Sequence, residues 1–585
     1  MFDKRRLLGH EYFPAELPPC FSTVSLAEHL DAVEKGADAV SKKMSNSIPL
    51  TFSGYKSESS RRWLALPNPY HYYKAVRLIV EREEDIKKIL KGSSYSLTAP
   101  TPGKIPDTAA YARKSASIAD TKRELERLYQ DNRYEIYLDI NTFFDSVYTH
   151  SIPWAIHGIA EAKKNRRESD LWGNELDACA RALNYGQTNG LLVGNAVSRI
   201  ISEIILCTVD RKVQSNFSKA ALRRKGKNIS CCRYVDDYYI YVRESGQIQE
   251  VISYIRSCLA EYHLTLNENK VRCSESPFLY GKEWVDRIRQ YIHLPPEVFL
   301  SKLVEEYRTS KDIALLKYGL RIISRYRYTR RQWETMQSRL LNIWVRFPVL
   351  ADRILDILLE NRALLKRDPI KKAAYSVIDA ALNLNHEQEL TWAVWFLKTL
   401  EIKPSSEYVV KVLKSAADIP ILTALDMVYA QGMESNKSIQ TQLASIRKEL
   451  ADEDIELNKQ GNETPGRLMW SEHWLLAYES RRNHWLETED GAVDYAEENE
   501  FFAELLQAGV SFYNSDYTYP EPAEKADRSK YEYATRAEVF KRYQELRDAI
   551  ARRPRGITGA VPRTEDEKEY YDSLVDALEI SESIY

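Results

Sequence analysis

An α+β amino-terminal half followed by an all-α carboxy-terminal half is the fold class this sequence predicts, and three observations predict it. Short β-favouring runs, at residues 63–66, 136–138, 231–234 and 238–242, alternate with helical stretches as far as Leu294-Pro295-Pro296. Beyond that point helical patterns succeed one another with only short breaks. At 585 residues the chain is too long for one hydrophobic core, so two domains are expected, at 1–292 and 293–585.

In the first half the periodicity predicts helices over 26–41, 70–90, 196–209 and 247–263. In the second half it predicts helices over 303–309, 314–328, 331–346, 350–365, 370–384, 390–399, 407–417 and 421–429. These read as an array of antiparallel helix pairs, a HEAT-like helical repeat by succession although no strict sequence period is present. Residues 453–466 read as a loop, 514–526 as a Tyr/Pro-rich connector and 568–580 as a last amphipathic helix. Trp392, Trp395, Trp470, Trp474 and Trp485 stand at helical spacing, where aromatic residues more often build core than a base-stacking channel. His386, His473 and His484 have no ligand arrangement.

The chemistry is concentrated at Tyr234-Val235-Asp236-Asp237, an acidic pair between two β-favouring runs, where acids are normally depleted. A second acid, Asp139, ends the run Ile136-Tyr137-Leu138. Taken alone, an Asp-Asp pair also suits a solvated hairpin turn. Two acidic strand ends brought together can instead clamp hard divalent cations, which prefer carboxylate oxygens. Nucleotidyl transfer needs two such ions, one to activate the attacking hydroxyl and one to brace the triphosphate and leaving group. Asp139 and Asp236 are the expected bridging ligands, with Asp237 a third.

Composition sets limits on the remaining readings. With 44% hydrophobic and 29% charged residues the chain has material for cores, and no apolar run reaches the roughly 18 residues of a membrane span. A mean hydropathy of −0.48 agrees with this. The start, Met1-Phe2-Asp3-Lys4-Arg5-Arg6, offers no apolar targeting segment. The seven cysteines include no Cys-x-x-Cys, and Cys231-Cys232 would face opposite sides of a strand as packing residues, so a reducing cytoplasm is expected. A net charge of −2 gives no global signature of a nucleic-acid binder, so attraction for polynucleotide must be local. The basic cluster of Lys219 with Arg223-Arg224-Lys225-Gly226-Lys227 could hold single-stranded product or be a solvated loop.

The order of motifs carries a resemblance. Asp139 to Phe144, then Asn189-Gly190-Leu191-Leu192-Val193-Gly194-Asn195-Ala196-Val197-Ser198-Arg199, then Tyr-Val-Asp-Asp, then Leu264-Thr265-Leu266-Asn267-Glu268-Asn269-Lys270 resemble motifs A to D of reverse transcriptases. The segments Tyr12 to Pro19, Leu66 to Tyr70 and Ser94 to Pro100 are similar to those of bacterial abortive-infection and defence-associated reverse transcriptases, the AbiK-like unknown group. The resemblance implies a fingers-palm domain in which Asp139, Asp236, Asp237 and the Ile140 carbonyl hold two Mg²⁺ ions, with Mn²⁺ as a substitute. It also implies that Phe144 is the steric gate, whose ring would clash with a ribose 2′-hydroxyl and so select deoxynucleoside triphosphates. Gly194, and Gly190 before it, would let backbone pass close to the nucleotide. Arg61 and Arg62 would bind the triphosphate as cations of the fingers, and Lys270 would assist the leaving pyrophosphate. Exposed arginines and a solvated lysine at a turn are the bland alternatives.

The array's place in the chain suggests that it replaces the thumb, and the family implies that it encloses a single-stranded DNA product and forms a homo-oligomer. Leu279-Tyr280-Gly281-Lys282 would be the primer-grip hairpin. Some members start DNA on a tyrosine hydroxyl, and Tyr12 and Tyr55 are the candidates near the finger motifs. One departure matters: Leu192-Val193 stand where templated enzymes commonly have Pro-Gln. The expectation is therefore an anti-phage DNA polymerase of reverse-transcriptase type, untemplated and protein-primed. A conventional enzyme copying an RNA template is the alternative, and a catalytically degenerate helical scaffold that senses phage is the alternative of another class.

Overall fold

The computed structural model describes residues 1–519 apart from 41–45, 116–117, 224–228, 279–281, 293, 327, 416, 461–465 and 488–494. Strands are few. The hairpin of β1 (Leu50–Ser57) and β2 (Ser60–Leu66) stands apart from a four-stranded antiparallel sheet. That sheet runs in the order β4 (Ser230–Tyr234), β5 (Asp237–Val242), β3 (Tyr134–Asp139), β6 (Arg272–Glu275). Period-2 alternation splits its central strands cleanly. Ile136, Leu138, Tyr238 and Ile240 are fully buried on one face, whereas Tyr137, Asp139, Asp237 and Tyr239 share the other. Cys231 joins the main core and Cys232 a small separate cluster with Leu97, Leu125 and Tyr241, on opposite sides as expected.

On the buried face Tyr238 reaches Asp210 of the helix Ala196–Arg223, which runs well past the predicted 196–209. The predicted 26–41 and 70–90 helices each break in two, at His29 and at Arg82, while 247–263 corresponds to Ile248–Ala260. Pro69, after the capping Asn68, starts Pro69–Glu81 where its missing N–H costs nothing.

The second half is helical, as expected. Pro296–Ser310, Ile313–Ile323, Arg330–Arg346, Ala351–Glu360, Arg367–Leu384, Glu387–Thr399, Ser406–Leu413 and Asp418–Ala430 correspond one by one to the predicted helices. Asp312 and Thr329 cap two of them through their side chains. Of the stretch read as loop, 453–466, residues 453–460 belong to the helix Lys437–Gln460, whose charged face resembles loop composition, and 461–465 lie outside the described residues. All five tryptophans named above are buried, Trp395 and Trp474 completely, and so serve as core. Arg224, Lys225, Gly226 and Lys227 of the basic cluster, Leu279, Tyr280 and Gly281 of the hairpin and the 568–580 helix lie outside the described residues.

One apolar core runs through both halves. The chain returns to its start: Phe21 and Tyr513 form an antiparallel bridge, and Asn514 donates to the Cys20 carbonyl at 2.7 Å.

Candidate active site

The β3–β5 register sets Asp139 directly opposite Asp237, and β4 and β5 close through Val235 and Asp236 with Tyr234 paired to Asp237. Residues directly opposite in an antiparallel pair have Cβ atoms about 4.5–5.5 Å apart, so the Asp139 and Asp237 side chains stand side by side on one face of the sheet. Three acids from two distant stretches therefore meet at one sheet end. Val235 has φ of +55°, left-handed backbone that costs a β-branched residue about 1–3 kcal/mol. Two contacts hold it there: its N–H donates to Thr98 Oγ1 at 3.1 Å and its carbonyl accepts from Arg233 Nη1 at 2.5 Å.

Electrostatically the acids are short of positive charge. Burial, then the neighbouring Asp237 and Asp139 carboxylates, push Asp236 up to about 6. Burial also raises Asp237, with Asp139 adding to it and the Tyr137 hydroxyl, 2.5 Å from Asp237 Oδ1, opposing it. Lys270 Nζ lies 3.0 Å from Asp139 Oδ1. Motif D brings it there: Asn141 donates to the Thr265 carbonyl and Asn267 to the Asp139 carbonyl, each at 2.8 Å, pinning Ile140 against Leu266. Among the described residues no three His, Cys, Asp or Glu side chains already surround one point as a cation cage. The donor set nevertheless suits a divalent cation, being all carboxylate and repelled by its own charge.

The sequence model of the family described as "Reverse transcriptase (RNA-dependent DNA polymerase)" matches residues 72–283, a span holding all three aspartates, Phe144, Gly194 and Lys270. The chain carries a reverse transcriptase domain. Such domains are nucleotidyltransferases that work with divalent metal ions. Solved structures similar to the chain include apo telomerase from Candida tropicalis, at 11% identity over 77% of this chain and 74% of that one, with a TM-score of 0.32. Telomerase from Candida albicans in complex with a TWJ fragment of telomeric RNA is 11% identical over 63% of this chain and 69% of that one, with a TM-score of 0.26. A Candida tropicalis telomerase truncated from its C-terminal domain matches at 13% identity over 44% of this chain, which spans 57% of it, with a TM-score of 0.27. No curated protein matches the chain.

Within the reverse transcriptase domain, motifs A and B are laced together. Gly190 donates to the Val147 carbonyl and Leu191 to the Phe144 carbonyl, each at 2.8 Å. Phe143 is core, 3% exposed, whereas Phe144 is half-buried beside the motif B loop. Gly194 has φ of +109°, and a Cβ there would stand 2.7 Å from Pro14 Cγ, so the amino-terminal segment itself demands this glycine. Val193 accepts the Ala65 N–H at 3.1 Å, tying motif B to β2.

Two expected residues, Arg61 and Tyr12, are placed otherwise. Arg61 turns to the helical half, its Nη1 and Nη2 each 2.6 Å from Glu389 and its Nε 2.9 Å from Ser53 Oγ, which spends the guanidinium on the array instead of a triphosphate. Arg62 is exposed on β2. Tyr12 is completely buried, stacked at 3.8 Å on Tyr72 with its hydroxyl donating to the Pro67 carbonyl at 2.6 Å, so it offers no nucleophile. Tyr55 is half-buried on β1, its N–H bonded to Gln388 at 2.7 Å and its hydroxyl held protonated by burial.

Arg233 is the important residue that sequence reasoning passed over. It is fully buried beneath the hairpin, 2.9 Å from both Glu203 and Asp210. Tyr238 donates to Asp210 at 2.8 Å. Burial alone would raise Glu203, but the guanidinium and the Thr98 and Ser96 hydroxyls bring it below its usual range. A signal existed: an arginine inside a β-favouring run, and two acids seven residues apart on one face of the motif B helix.

Proposed function

We propose that the chain is a metal-dependent polymerase of deoxynucleotides. The observation that carries this reading is the register that opposes Asp139 to Asp237 with Asp236 on the adjoining turn. Divalent cations held by the three carboxylates and the Ile140 carbonyl would activate the attacking hydroxyl and neutralise the triphosphate. This chain's own residues do the rest. Phe144 bounds the sugar, Lys270 offers an ammonium to the departing phosphate, and exposed Arg62 is the fingers cation left to meet the triphosphate.

Two features support untemplated synthesis in an anti-phage role. Leu192 and Val193 are apolar where a polar contact to template and nucleotide is expected, and the amino-terminal segments resemble defence-associated enzymes. Tyr55 is the remaining candidate for a protein primer, the array takes the place of a thumb around single-stranded product, and the chain works as a cytoplasmic homo-oligomer. Templated copying of RNA is the second reading, favoured by the family description that the domain matches.

The deciding experiment incubates purified protein with each deoxynucleotide and Mg²⁺, before and after nuclease treatment, and sequences any product. Synthesis that survives nuclease treatment supports the untemplated form; synthesis that it abolishes supports the templated one. Absence of incorporation under all conditions refutes both, and phage protection by Asp236→Ala at the wild-type level would show that defence does not need the chemistry.

A further inference from the structure

Residues 93–99 are outside the aspartate cluster, yet they run along the outer edge of β4. Arg233 donates its backbone N–H to the Tyr95 carbonyl and Leu97 donates to the Arg233 carbonyl, both at 2.8 Å, making a parallel bridge between Ser96 and Arg233. Side chains of the same segment reach the motif B helix. Ser93 Oγ donates to Asp210 at 2.8 Å, Ser96 Oγ to Glu203 at 2.9 Å and Thr98 Oγ1 to Glu203 at 2.6 Å. Thr98 Oγ1 then accepts the Val235 N–H, and Arg233, paired to the same Glu203, donates to the Val235 carbonyl.

Both backbone polar groups of the one left-handed residue in the turn are therefore held by side chains anchored on Glu203. A hydroxyl can donate to the carboxylate and accept from the amide at once; serine can replace it, valine and alanine cannot. Loss of the acceptor would free the Val235 peptide to leave a conformation its β-branched side chain disfavours. The two carboxylates that follow it in sequence would move with it.

We infer that residues 93–99 are a strap that sets the angle of the catalytic turn, with Thr98 a positioning residue acting through Val235 on Asp236 and Asp237. The inference rests on the polymerase reading above. Thr98 touches neither aspartate, so its effect is on their placement and not on nucleotide contact.

The test is steady-state deoxynucleotide incorporation, with Mg²⁺ titration, by the full-length chain and its Thr98→Val, Thr98→Ala, Thr98→Ser and Thr98→Val/Val235→Gly variants. Thr98→Val and Thr98→Ala are expected to lower kcat roughly 10- to 100-fold, the scale of a small misplacement of reacting groups. They should raise the half-saturating Mg²⁺ concentration and leave the nucleotide KM within about twofold, since ground-state nucleotide binding is untouched. Thr98→Ser should recover most of the rate. Val235→Gly should recover part of it in the Thr98→Val background, because glycine takes the left-handed backbone unaided.

Wild-type kcat and Mg²⁺ dependence in Thr98→Val and Thr98→Ala would overturn the strap, as would a loss that serine does not repair or one matched by an equal loss of folded protein. A wild-type chain that incorporates nothing overturns the polymerase reading instead. Calorimetric Mg²⁺ affinity then tests the strap alone, and equal affinity in wild type and Thr98→Val would overturn it.

Discussion

Lys270 Nζ lies 3.0 Å from Asp139 Oδ1, an ammonium against the carboxylate that a divalent cation would need. The lysine is half-exposed, so the pair is worth no more than about 1 kcal/mol. Replacing it with glutamine should therefore tighten Mg²⁺ binding by only about two- to fivefold, measured by calorimetry, while lowering single-turnover incorporation through loss of the proton donor. Weaker Mg²⁺ binding in Lys270→Gln would show that the lysine assists the ion instead of competing with it.

Asp236 carries a stability cost that Asp236→Asn should release. Its folded carboxyl is raised to about 6 from an ordinary aspartate, so the folded state holds that proton more tightly than the unfolded chain. Stability without metal accordingly falls as pH rises across that interval, and the full cost, on the order of 1–3 kcal/mol, is present above it. At pH 8 in chelator, Asp236→Asn should melt about 1–2 °C above wild type while losing about 10²–10³-fold or more of the incorporation rate. Equal melting would place the carboxylate in water.

The same raised carboxyl fixes the acid limb of activity. At subsaturating Mg²⁺, kcat/KM for the nucleotide should fall as pH drops through about 6, where Asp236 protonates. Saturating Mg²⁺ should move the limb to lower pH, since the cation competes with the proton. A pH profile flat from 7 to well below 6 would remove Asp236 from the essential groups.

Phe143 and Phe144 are adjacent and should behave oppositely. Phe144→Ala opens the half-buried position beside motif B, and the deoxynucleotide-to-ribonucleotide preference should drop roughly 10- to 200-fold, the range a steric contact supplies. Phe143→Ala empties the core, costing about 3–5 kcal/mol in urea unfolding with little change in sugar preference. Exchange of these two outcomes would assign the gate to Phe143.

Much of this was legible because it is local. Acids closing β-favouring runs gave Asp139 and Asp236-Asp237, and apolar periodicity gave the helices from Pro296–Ser310 onward. What escaped depends on partners far away in sequence. Nothing near Arg61 announces Glu389, and nothing near Tyr12 announces Tyr72 stacked over it. Arg233 escaped because its partners Glu203 and Asp210 stand on the motif B helix and not beside it in the strand. The 453–460 stretch reads as loop since a helix with so polar a face borrows its order from the core beneath Leu450.

The Arg61–Glu389 pair gives the last prediction, on how the two halves depend on each other. Glu389 is 4% exposed and Arg61 20%, and beside them Glu387 accepts the Ser53 N–H at 3.0 Å and Gln388 the Tyr55 N–H at 2.7 Å. Three successive side chains of one helix turn thus fasten the fingers hairpin to the array. Removing one partner of a nearly buried pair strands the other charge, so Arg61→Met and Glu389→Met should each cost about 3–5 kcal/mol in urea unfolding. The double variant leaves no stranded charge and should lose less than the sum of the two, with a coupling of about 1–3 kcal/mol. If the pair fastens the fingers and does not bind triphosphate, the double variant should also keep its nucleotide KM within about twofold of wild type. Strict additivity in stability together with a large rise in KM would return Arg61 to the triphosphate site.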